Sequence, residues 1–399
     1  MSGRARGTVV ALLLAALATA AAAATLSEDV STFLRRGLDS TGPIPDKAPF
    51  QMERLATRAA DFPVASTSPG LAFRFDPDLG TFVPVESIGP ALLERVETVG
   101  RHAFGVGASY LHADVDQLDG EPLSTLFSGI VAIGTRDGSL AASRVDATDA
   151  SIEQSIADFY ATYGLTERWD VNVLVPLVVT TLDLRGTGVD LDVDTGAVVA
   201  SRRVHVHDQK VGVGDVLFRT KYRLTDAAPV NTALGFTVRV PTGSAEDFQG
   251  LGDPTFTPGL VLSRIIARQD LHLNLGVEVN GTDLQRTRAR YGLGATLQAV
   301  DWAALLIDFV GSSSFVDDTF TFESPYPLMG GGVHATPRPG GGYEVSSAVA
   351  RTDVLDFAVD VKLAGPRGLS GFGTAILPVT QDALRSDVAV AVGIEWALP

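Results

Sequence analysis

Charged residues recur at every second position in several apolar stretches of the chain, a spacing that could line a water-filled passage. In residues 211–224, Asp215, Arg219, Lys221 and Arg223 alternate with apolar and aromatic side chains. Successive side chains of a β-strand point to opposite faces, so these charges share one face. Such rings tune selectivity in an open channel, whereas paired charges would fill a narrow lumen. The residues expected to line this lumen are Asp215, Arg219, Lys221, Arg223, Arg239, His272, Asn274, Glu278, Asp308, Asp360 and Lys362.

Catalysis is the second chemistry that these residue types suggest. His272, Asn274 and Glu278 fall on one face of a predicted strand and could support general acid–base work. No nucleophile follows them at a recognisable spacing, and no serine–histidine pair with a supporting motif suggests a lipase. The sequence therefore predicts a hydrogen-bonded histidine rather than an enzyme, and it predicts no cofactor.

Metal binding is the third possibility. His205 and His207 lie two residues apart and could hold a metal or an anion on an outer loop, but a solvated loop is the favoured interpretation. A cluster of acids could bind calcium weakly, yet it lacks the spacing of a dedicated calcium loop. No metal is therefore predicted. The acids of that cluster are Asp183, Asp190, Asp192 and Asp194.

Twelve segments with the same alternation predict the strands that position these residues. In residues 269–280, for example, leucine and valine occupy every second position and polar residues occupy most of the others. Segments of about ten residues with this repeat are typical of transmembrane barrel strands. The predicted strands are 102–112, 155–163, 168–183, 211–224, 230–241, 254–266, 269–280, 289–299, 302–312, 353–363, 369–378 and 386–398.

The connections favour a barrel over a sandwich. Short turns follow every second strand, whereas long connections follow strands one, three, five and nine. Short turns at one rim and long loops at the other are how outer-membrane barrels are built. We therefore predict an all-β, antiparallel, up-and-down transmembrane barrel of about twelve strands. This number lies between the filled eight and the open sixteen, and it favours a constricted lumen. The four long connections are 113–154, 184–210, 242–253 and 313–352.

The N-terminal hundred residues differ from the rest. Arg4 and Arg6 precede an apolar run and a small-residue stretch that ends at Ala24, which predicts a signal peptide over residues 1–24. Residues 25–100 predict a short helix near 27–37, a second at 50–60, a hairpin at 71–85 and a third helix at 90–99. This part is expected to be a periplasmic segment or a plug inside the barrel. Residues 101–399 form the predicted barrel.

Composition excludes several classes of protein. The net charge of −16 and the lack of a dense basic patch argue against nucleic-acid binding. The chain has no cysteine, so it forms no disulfide and no thiolate metal site. No stretch after the signal peptide is long and apolar enough for a transmembrane helix.

Aromatic residues near the ends of the predicted strands are expected to sit at the membrane interfaces. Tyrosine and tryptophan are enriched at both membrane–water boundaries of a barrel. Ordinary strand propensity is the alternative explanation. These aromatics are Tyr110, Tyr163, Trp169, Tyr222, Tyr291, Trp302 and Trp396.

Several short motifs resemble one bacterial family of outer-membrane proteins. They include the run from Tyr163 to Pro176, the Gly212–Asp215 motif with Lys221–Leu224 after it, and Val240–Gly243. Upstream motifs from Ser68 to Arg95 resemble the lead-in of some relatives. The family is the one named "putative MetA-pathway of phenol degradation", and the resemblance covers most of residues 68–300. It implies a transporter-like barrel.

The expected role follows from fold and resemblance together. We expect passive passage of small molecules, including apolar and aromatic ones, through a bacterial outer-membrane barrel. The alternative is a structural or surface-interaction protein that acts through its long loops. The expected partners are the lipid bilayer, an unknown small solute and the barrel assembly machinery. The chain ends Trp396-Ala-Leu-Pro399 rather than on an aromatic residue, which departs from the usual assembly signal.

Overall fold

Twelve antiparallel strands close into a barrel in the part of the chain that the computed structural model describes. Each wall strand pairs with its neighbours, and the last pairs with the first. The model describes residues 24–38, 73–76, 81–84, 92–136, 139–226, 228–266, 269–324, 333–339, 341, 343–349 and 351–398. The wall strands are β3 (Phe104–Val115), β7 (Ser139–Thr166), β8 (Trp169–Asp192), β10 (Val216–Arg223), β11 (Asn231–Val240), β12 (Thr255–Ile266), β13 (Gln269–Asn280), β14 (Arg288–Val300), β15 (Ala303–Ser314), β19 (Asp353–Ala364), β20 (Leu369–Pro378) and β22 (Ala389–Leu398).

Smaller elements surround the wall. Helix α1 (Leu26–Leu38) and the hairpin β1–β2 precede it, and short elements fill the long connections. Among the described residues, no helix has both the length and the apolar character needed to cross a bilayer. These elements are β1 (Phe73–Asp76), β2 (Thr81–Pro84), β4 (Gln117–Leu118), β5 (Glu121–Pro122), α2 (Leu123–Leu126), β6 (Ile130–Arg136), β9 (Val198–Val213), β16 (Asp318–Ser324), β17 (Val333–Pro337), β18 (Tyr343–Val349), β21 (Leu384–Arg385) and the 3₁₀ turns Leu284–Arg286 and Pro366–Gly368.

The wall has one apolar face and one ionic face. On β13, Leu271 and Leu275 are each 43% exposed, whereas Asp270 and His272 are almost fully buried. The exposed leucines point outward, and the buried polar residues point into the lumen. A shift of one residue would place these charges on the lipid side, so the register is strongly specified. The predicted all-β barrel is confirmed.

The predicted long loops are partly wrong. Strands β7, β8 and β9 extend well beyond the height of the membrane, through most of 139–154 and 184–210. Residues 313–352 contain a three-stranded sheet in the order β16-β18-β17. The extension forms because its inner face has an apolar partner, which is helix α1.

Helix α1 begins with a reciprocal cap. The Thr25 N–H donates to Glu28 Oε2 over 3.0 Å, and the Glu28 N–H donates to Thr25 Oγ1 over 3.3 Å. The apolar side of the helix, including Val30, Phe33 and Leu34, is fully buried. It packs against apolar residues of β7, β8 and β9. The predicted helix near 27–37 is therefore confirmed, and it lies at the long-loop end of the barrel.

Two other expectations need correction. The predicted strand 211–224 is broken at Gly214 and Asp215, which separate β9 from β10. The predicted helix at 90–99 is wrong, because its described residues from 92 onward have no regular structure. Several of their N–H groups donate to side chains of the wall instead of to a helix.

The two remaining N-terminal elements have different outcomes. The predicted hairpin is present as β1–β2, with Phe73 opposite Pro84. The predicted helix at 50–60 and the signal peptide up to residue 23 lie outside the described residues.

Candidate functional site

The inner face of the barrel carries the polar residues that the sequence predicted for the lumen. Ten of them lie on this face, and Arg223 sits at the short-turn rim, where it donates to the Glu167 carbonyl over 2.9 Å. The two lumen residues Lys362 and Asp308 are fully buried. The ten residues are Asp215, Arg219, Lys221, Arg239, His272, Asn274, Glu278, Asp308, Asp360 and Lys362.

Most of these charges meet an opposite charge on the wall. Glu278 contacts Arg288 over 2.6 Å and Arg290 over 2.9 Å. The Nζ of Lys362 lies 2.8 Å from Glu395 Oε2, and the Tyr160 hydroxyl donates to the same carboxylate. Buried charges of this kind persist only when they are paired. The lumen is therefore lined by ion pairs rather than by unopposed charge.

The acid–base group considered in the sequence analysis is not assembled. His272 Nε2 lies 3.3 Å from Asp308 Oδ1. Asn274 bonds with the backbone of Glu94, and Glu278 is held by two arginines. The three residues share a face, but each has a different partner.

Residues 92–100, called here the lumenal segment, occupy the barrel interior. Asn274 accepts from the Glu94 N–H over 2.7 Å and donates to the Glu94 carbonyl over 2.8 Å. Further along, the Val96 N–H donates to Ser263 Oγ and the Val99 N–H donates to Asp170 Oδ2. The segment therefore follows the wall down to the short-turn rim, where β3 begins. Sequence analysis did not predict these contacts, because the sequence of residues 92–100 contains no motif that indicates binding to the barrel wall.

Lys221 connects the wall to the lumenal segment. Its Nζ lies 3.4 Å from Glu94 Oε2 and donates to the Arg95 carbonyl over 2.9 Å. Beside it is a cavity of about 50 Å³, which suffices for a few water molecules. The residues lining the cavity include Glu94, Asp170, Asn172, Arg219, Lys221, Gly235, Thr237 and Val261.

The connection between β11 and β12 folds into the lumen from the other end. Asp215 accepts from the Gly243 N–H over 3.0 Å and from the Leu251 N–H over 2.8 Å. Gln154 donates to the carbonyl of the fully buried Phe248 over 2.7 Å. The break between β9 and β10 thus places Asp215 where it holds this loop. Residues 241–254 are called the inward loop below.

Helix α1 is fastened at both ends. At its start, the Leu26 N–H donates to Asp247 of the inward loop over 3.0 Å. At its end, Arg202 of β9 donates to the carbonyls of Arg36 and Gly37 and pairs with Asp190. These carbonyls have no partner within the helix, so a cation is favourable there.

Asp29 of α1 faces β9 above the membrane. Burial, together with the neighbouring carboxyl group of Asp208, raises the pKa of Asp29 to about 6. Lys210 pairs with Asp208 over 2.6 Å. The contact between helix α1 and β9 therefore contains a carboxyl group that titrates near pH 6.

The two candidate metal histidines lie on a strand rather than on a loop. His205 and His207 of β9 lie 3.3 Å and 3.2 Å from Asp183 Oδ2. Although partial burial opposes it, hydrogen bonds from His205 and Arg185 hold the pKa of Asp183 below its ordinary value. In the described part of the chain, no group of three or more such side chains is arranged to hold a metal ion.

The acids of the candidate calcium cluster have local partners. Asp190 pairs with Arg202, and Asp192 accepts from the backbone of Asp194 and Thr195. The carboxylate of Asp192 therefore closes a turn between β8 and β9.

Five of the seven predicted interface aromatics gather at the short-turn rim. Each is at least about one third exposed on the outer face. Tyr110 and Tyr291 lie farther up the wall, where their hydroxyls contact Ser155 and Ser313. The five rim aromatics are Tyr163, Trp169, Tyr222, Trp302 and Trp396.

A closed antiparallel barrel with an apolar outer face and an ionic lumen defines a transmembrane barrel of the outer membrane. The chain belongs to the family described as "Putative MetA-pathway of phenol degradation", whose model matches residues 137–376. The match continues beyond residue 300, where the resemblance of the short motifs ended, and it begins after the upstream lead-in motifs. The protein is located in the outer membrane.

Solved structures of other outer-membrane proteins are also similar. The COG4313 outer membrane channel from Pseudomonas putida F1 is 11% identical, with 76% of this chain and 98% of that chain covered and a TM-score of 0.46. A Pseudomonas aeruginosa FadL homologue is 8% identical, with 74% and 89% covered and a TM-score of 0.31. The translocator domain of autotransporter NalP from Neisseria meningitidis is 8% identical, with 75% and 90% covered and a TM-score of 0.34. No curated protein matches the sequence.

Proposed function

We propose that this protein is a channel for the passive passage of small molecules across the outer membrane. The observation that carries the proposal is the polar lumen with a cavity between the wall and the lumenal segment. The segment is held there by hydrogen bonds and by the ion pair between Lys221 and Glu94. Because the segment contributes no strand to the wall, its release would break these contacts and leave the barrel closed.

Small aromatic molecules are the proposed solutes. The family description names phenol degradation, which makes small hydroxylated aromatic molecules the first solutes to test. The cavity is lined by charged and amide side chains, so a solute with a polar group suits it better than a pure hydrocarbon.

Reconstitution of the purified protein tests the proposal. Planar bilayers report conductance, and liposomes loaded with buffer report entry of 4-hydroxybenzoate, an anion at neutral pH, above its entry into protein-free liposomes. The full mature chain and a variant without residues 25–100 are compared, and a shift in electrophoretic mobility on heating verifies that each barrel is folded. Flux in the full chain, with more in the shortened one, is expected. Neither conductance nor solute entry in either protein would contradict a channel.

A structural or surface-interaction role is the second candidate. The loop regions 113–154 and 313–352 contain an extended sheet and the separate sheet β16-β18-β17. Large apolar side chains are exposed in the same external region, with Val198 59% and Val199 71% exposed. Deletion of residues 318–349 separates the two roles, because a receptor loses its partner while a channel keeps its flux.

Catalysis has the least support in the residues that the structure describes. His272, Asn274 and Glu278 are bound to different partners, and none of them faces a nucleophile with an orienting group. We therefore propose a transport role without chemistry.

A further inference from the structure

The cavity beside Lys221 contains a carboxylate that does not belong to the wall. Lys221 and Arg219 of β10 line it, and Glu94 of the lumenal segment reaches Lys221 Nζ over 3.4 Å. Lys221 is 5% exposed, so its ammonium group requires an anionic partner. Glu94 thus occupies a position that the carboxylate of a solute could take with no change in local charge.

The same cavity offers acceptors that have no donor. Asn172 and Asp170 are 7% and 4% exposed, and the Oδ1 atom of each has no hydrogen-bond partner among the described residues. Asp170 lies opposite Lys221, and Asn172 lies opposite Arg219 in the next layer. Buried acceptors of this kind favour a ligand or a water that donates a hydrogen bond. A hydroxyl group on the solute would satisfy them.

Diagonal neighbours on one face of a sheet are about 7–8 Å apart. Lys221 and Asn172 are diagonal neighbours in the pairing of β10 with β8, so this is the expected separation of their backbone positions, and a benzene ring with substituents at both ends has a comparable length. A ring is larger than the cavity, which holds only a few waters. Such a solute therefore fits only when the Glu94 side chain moves away.

The lumenal segment is easier to displace than helix α1. Hydrogen bonds to Ser263, Asn274 and Asp170 hold the segment, and it buries three apolar side chains, those of Leu93, Val96 and Val99. Helix α1 instead buries Leu26, Val30, Phe33, Leu34 and Leu38 in a large apolar core. Burial of a large apolar side chain stabilises more than a typical hydrogen bond does, so helix α1 is held more firmly than the segment.

We propose that the cavity binds small aromatic carboxylates with a hydroxyl group, whose carboxylate replaces that of Glu94 on Lys221 and thereby releases the lumenal segment. The inference names the solute class of the proposed channel. Passage of the solute rests on the proposed function, whereas binding of the solute and release of the segment do not. Binding favours the released state because the solute and the seated Glu94 compete for one cation.

A single introduced thiol reports release without any measurement of flux. The native chain has no cysteine, so Val96→Cys introduces a unique thiol at a fully buried position of the segment. A membrane-impermeant maleimide is added to the folded full-length protein with increasing 4-hydroxybenzoate. We expect labelling to become at least tenfold faster at saturation. Benzoate, which lacks the hydroxyl, should act only at higher concentration, and phenol, which lacks the carboxylate, should have no effect.

Matched variants separate release of the segment from general loosening. Val30→Cys places a thiol at an equally buried position of α1, and its labelling should not respond to 4-hydroxybenzoate. In the Val96→Cys background, Lys221→Met should raise basal labelling and abolish the response. Arg351→Met, whose exposed arginine pairs with Asp353 outside the lumen, should retain it. Glu94→Gln should lower the 4-hydroxybenzoate concentration needed for half of the effect.

Three outcomes would overturn the inference. In the first, 4-hydroxybenzoate does not change the labelling rate of the Val96→Cys protein. In the second, phenol accelerates that labelling as much as 4-hydroxybenzoate does, and in the third, 4-hydroxybenzoate accelerates labelling of the Val30→Cys protein equally. A Val96→Cys protein that conducts while its thiol stays protected would refute the inference alone. Release of the same thiol without any solute flux would refute passage alone.

Discussion

The Nζ of Lys221 on strand β10 lies 3.4 Å from the Glu94 carboxylate on the lumenal segment. One partner belongs to the barrel wall, and the other belongs to a stretch that contributes no strand to the barrel. Formation of this ion pair therefore indicates whether the lumenal segment is bound inside the barrel. Arg219 and Asp170 border the same cavity, so the pair sits within a balanced set of two cations and two anions.

Loss of the Glu94 charge should loosen the lumenal segment. Lys221 is almost fully buried, and removal of one partner of such an ion pair costs more than loss of a surface pair, so we expect Glu94→Gln to raise basal solute flux in liposomes by at least about fivefold. Glu167→Gln is the control, because Glu167 contacts Thr98 and Arg223 through its backbone carbonyl. Equal flux in wild type and Glu94→Gln would show that the ion pair does not hold the segment.

Helix α1 depends on a close approach between two glycines. A Cβ atom on Gly188 would clash with the Gly37 carbonyl oxygen, whereas one on Gly373 would meet no atom within 4 Å. Gly188→Ala should therefore displace α1 and lower the thermal unfolding midpoint, and Gly373→Ala should leave it nearly unchanged. Circular dichroism during heating in detergent measures both. Identical midpoints for the two variants would be inconsistent with this packing.

The inward loop should be released when Asp215 is truncated. Its carboxylate accepts from two backbone N–H groups, and a hydrogen bond to a charged group contributes about 1.5–3 kcal/mol. We expect Asp215→Ala to make residues 241–254 sensitive to limited proteolysis while the barrel stays folded. Asp226→Ala, at the short-turn rim, serves as the control. If the Asp215→Ala protein resists proteolysis as well as wild type does, Asp215 does not hold the inward loop.

Attachment of helix α1 should weaken as the pH rises. The pKa of Asp29 in the folded protein is about 6, above its ordinary value of 3.8, so the protonated form is favoured in the helix seat. The stabilisation is complete below pH 3.8 and is lost as the pH passes through about 6. We expect maleimide labelling of Val30→Cys to be faster at pH 7.5 than at pH 5, at matched thiolate concentration. Asp29→Asn should remove this difference, and a difference that survives the substitution would assign the effect to another group.

The alternation of apolar and polar residues predicted the strands of the wall, because this pattern depends only on residues that are close together in sequence. Strands β13 and β20 have the predicted bounds of 269–280 and 369–378, and β12 begins one residue late. The extension of β8 beyond Asp183 was missed, although Leu184 continues the pattern. Gly186, Gly188 and the nearby aspartates resemble a loop, and the partner that buries this strand is a helix about 150 residues away in sequence.

The residues of the lumen were predictable, but most of their partners were not. A period of two places Lys221 and Lys362 on the inner face. It does not say that Glu94 meets the first and Glu395 the second, because that depends on strand order, on stagger and on a segment with no periodicity of its own. The break at Asp215 was missed for a related reason, since the loop that it holds folds in from another connection.

Reversible locking of the lumenal segment tests the account most directly. Val96 and Ala233 share one buried cluster, so Val96→Cys with Ala233→Cys can tie the segment to β11 in a chain without other cysteines. Mass spectrometry under non-reducing conditions verifies the bond, and solute entry into liposomes is measured before and after reduction. The account predicts low flux when oxidised and restored flux when reduced. Equal flux in both states would contradict passage controlled by residues 92–100.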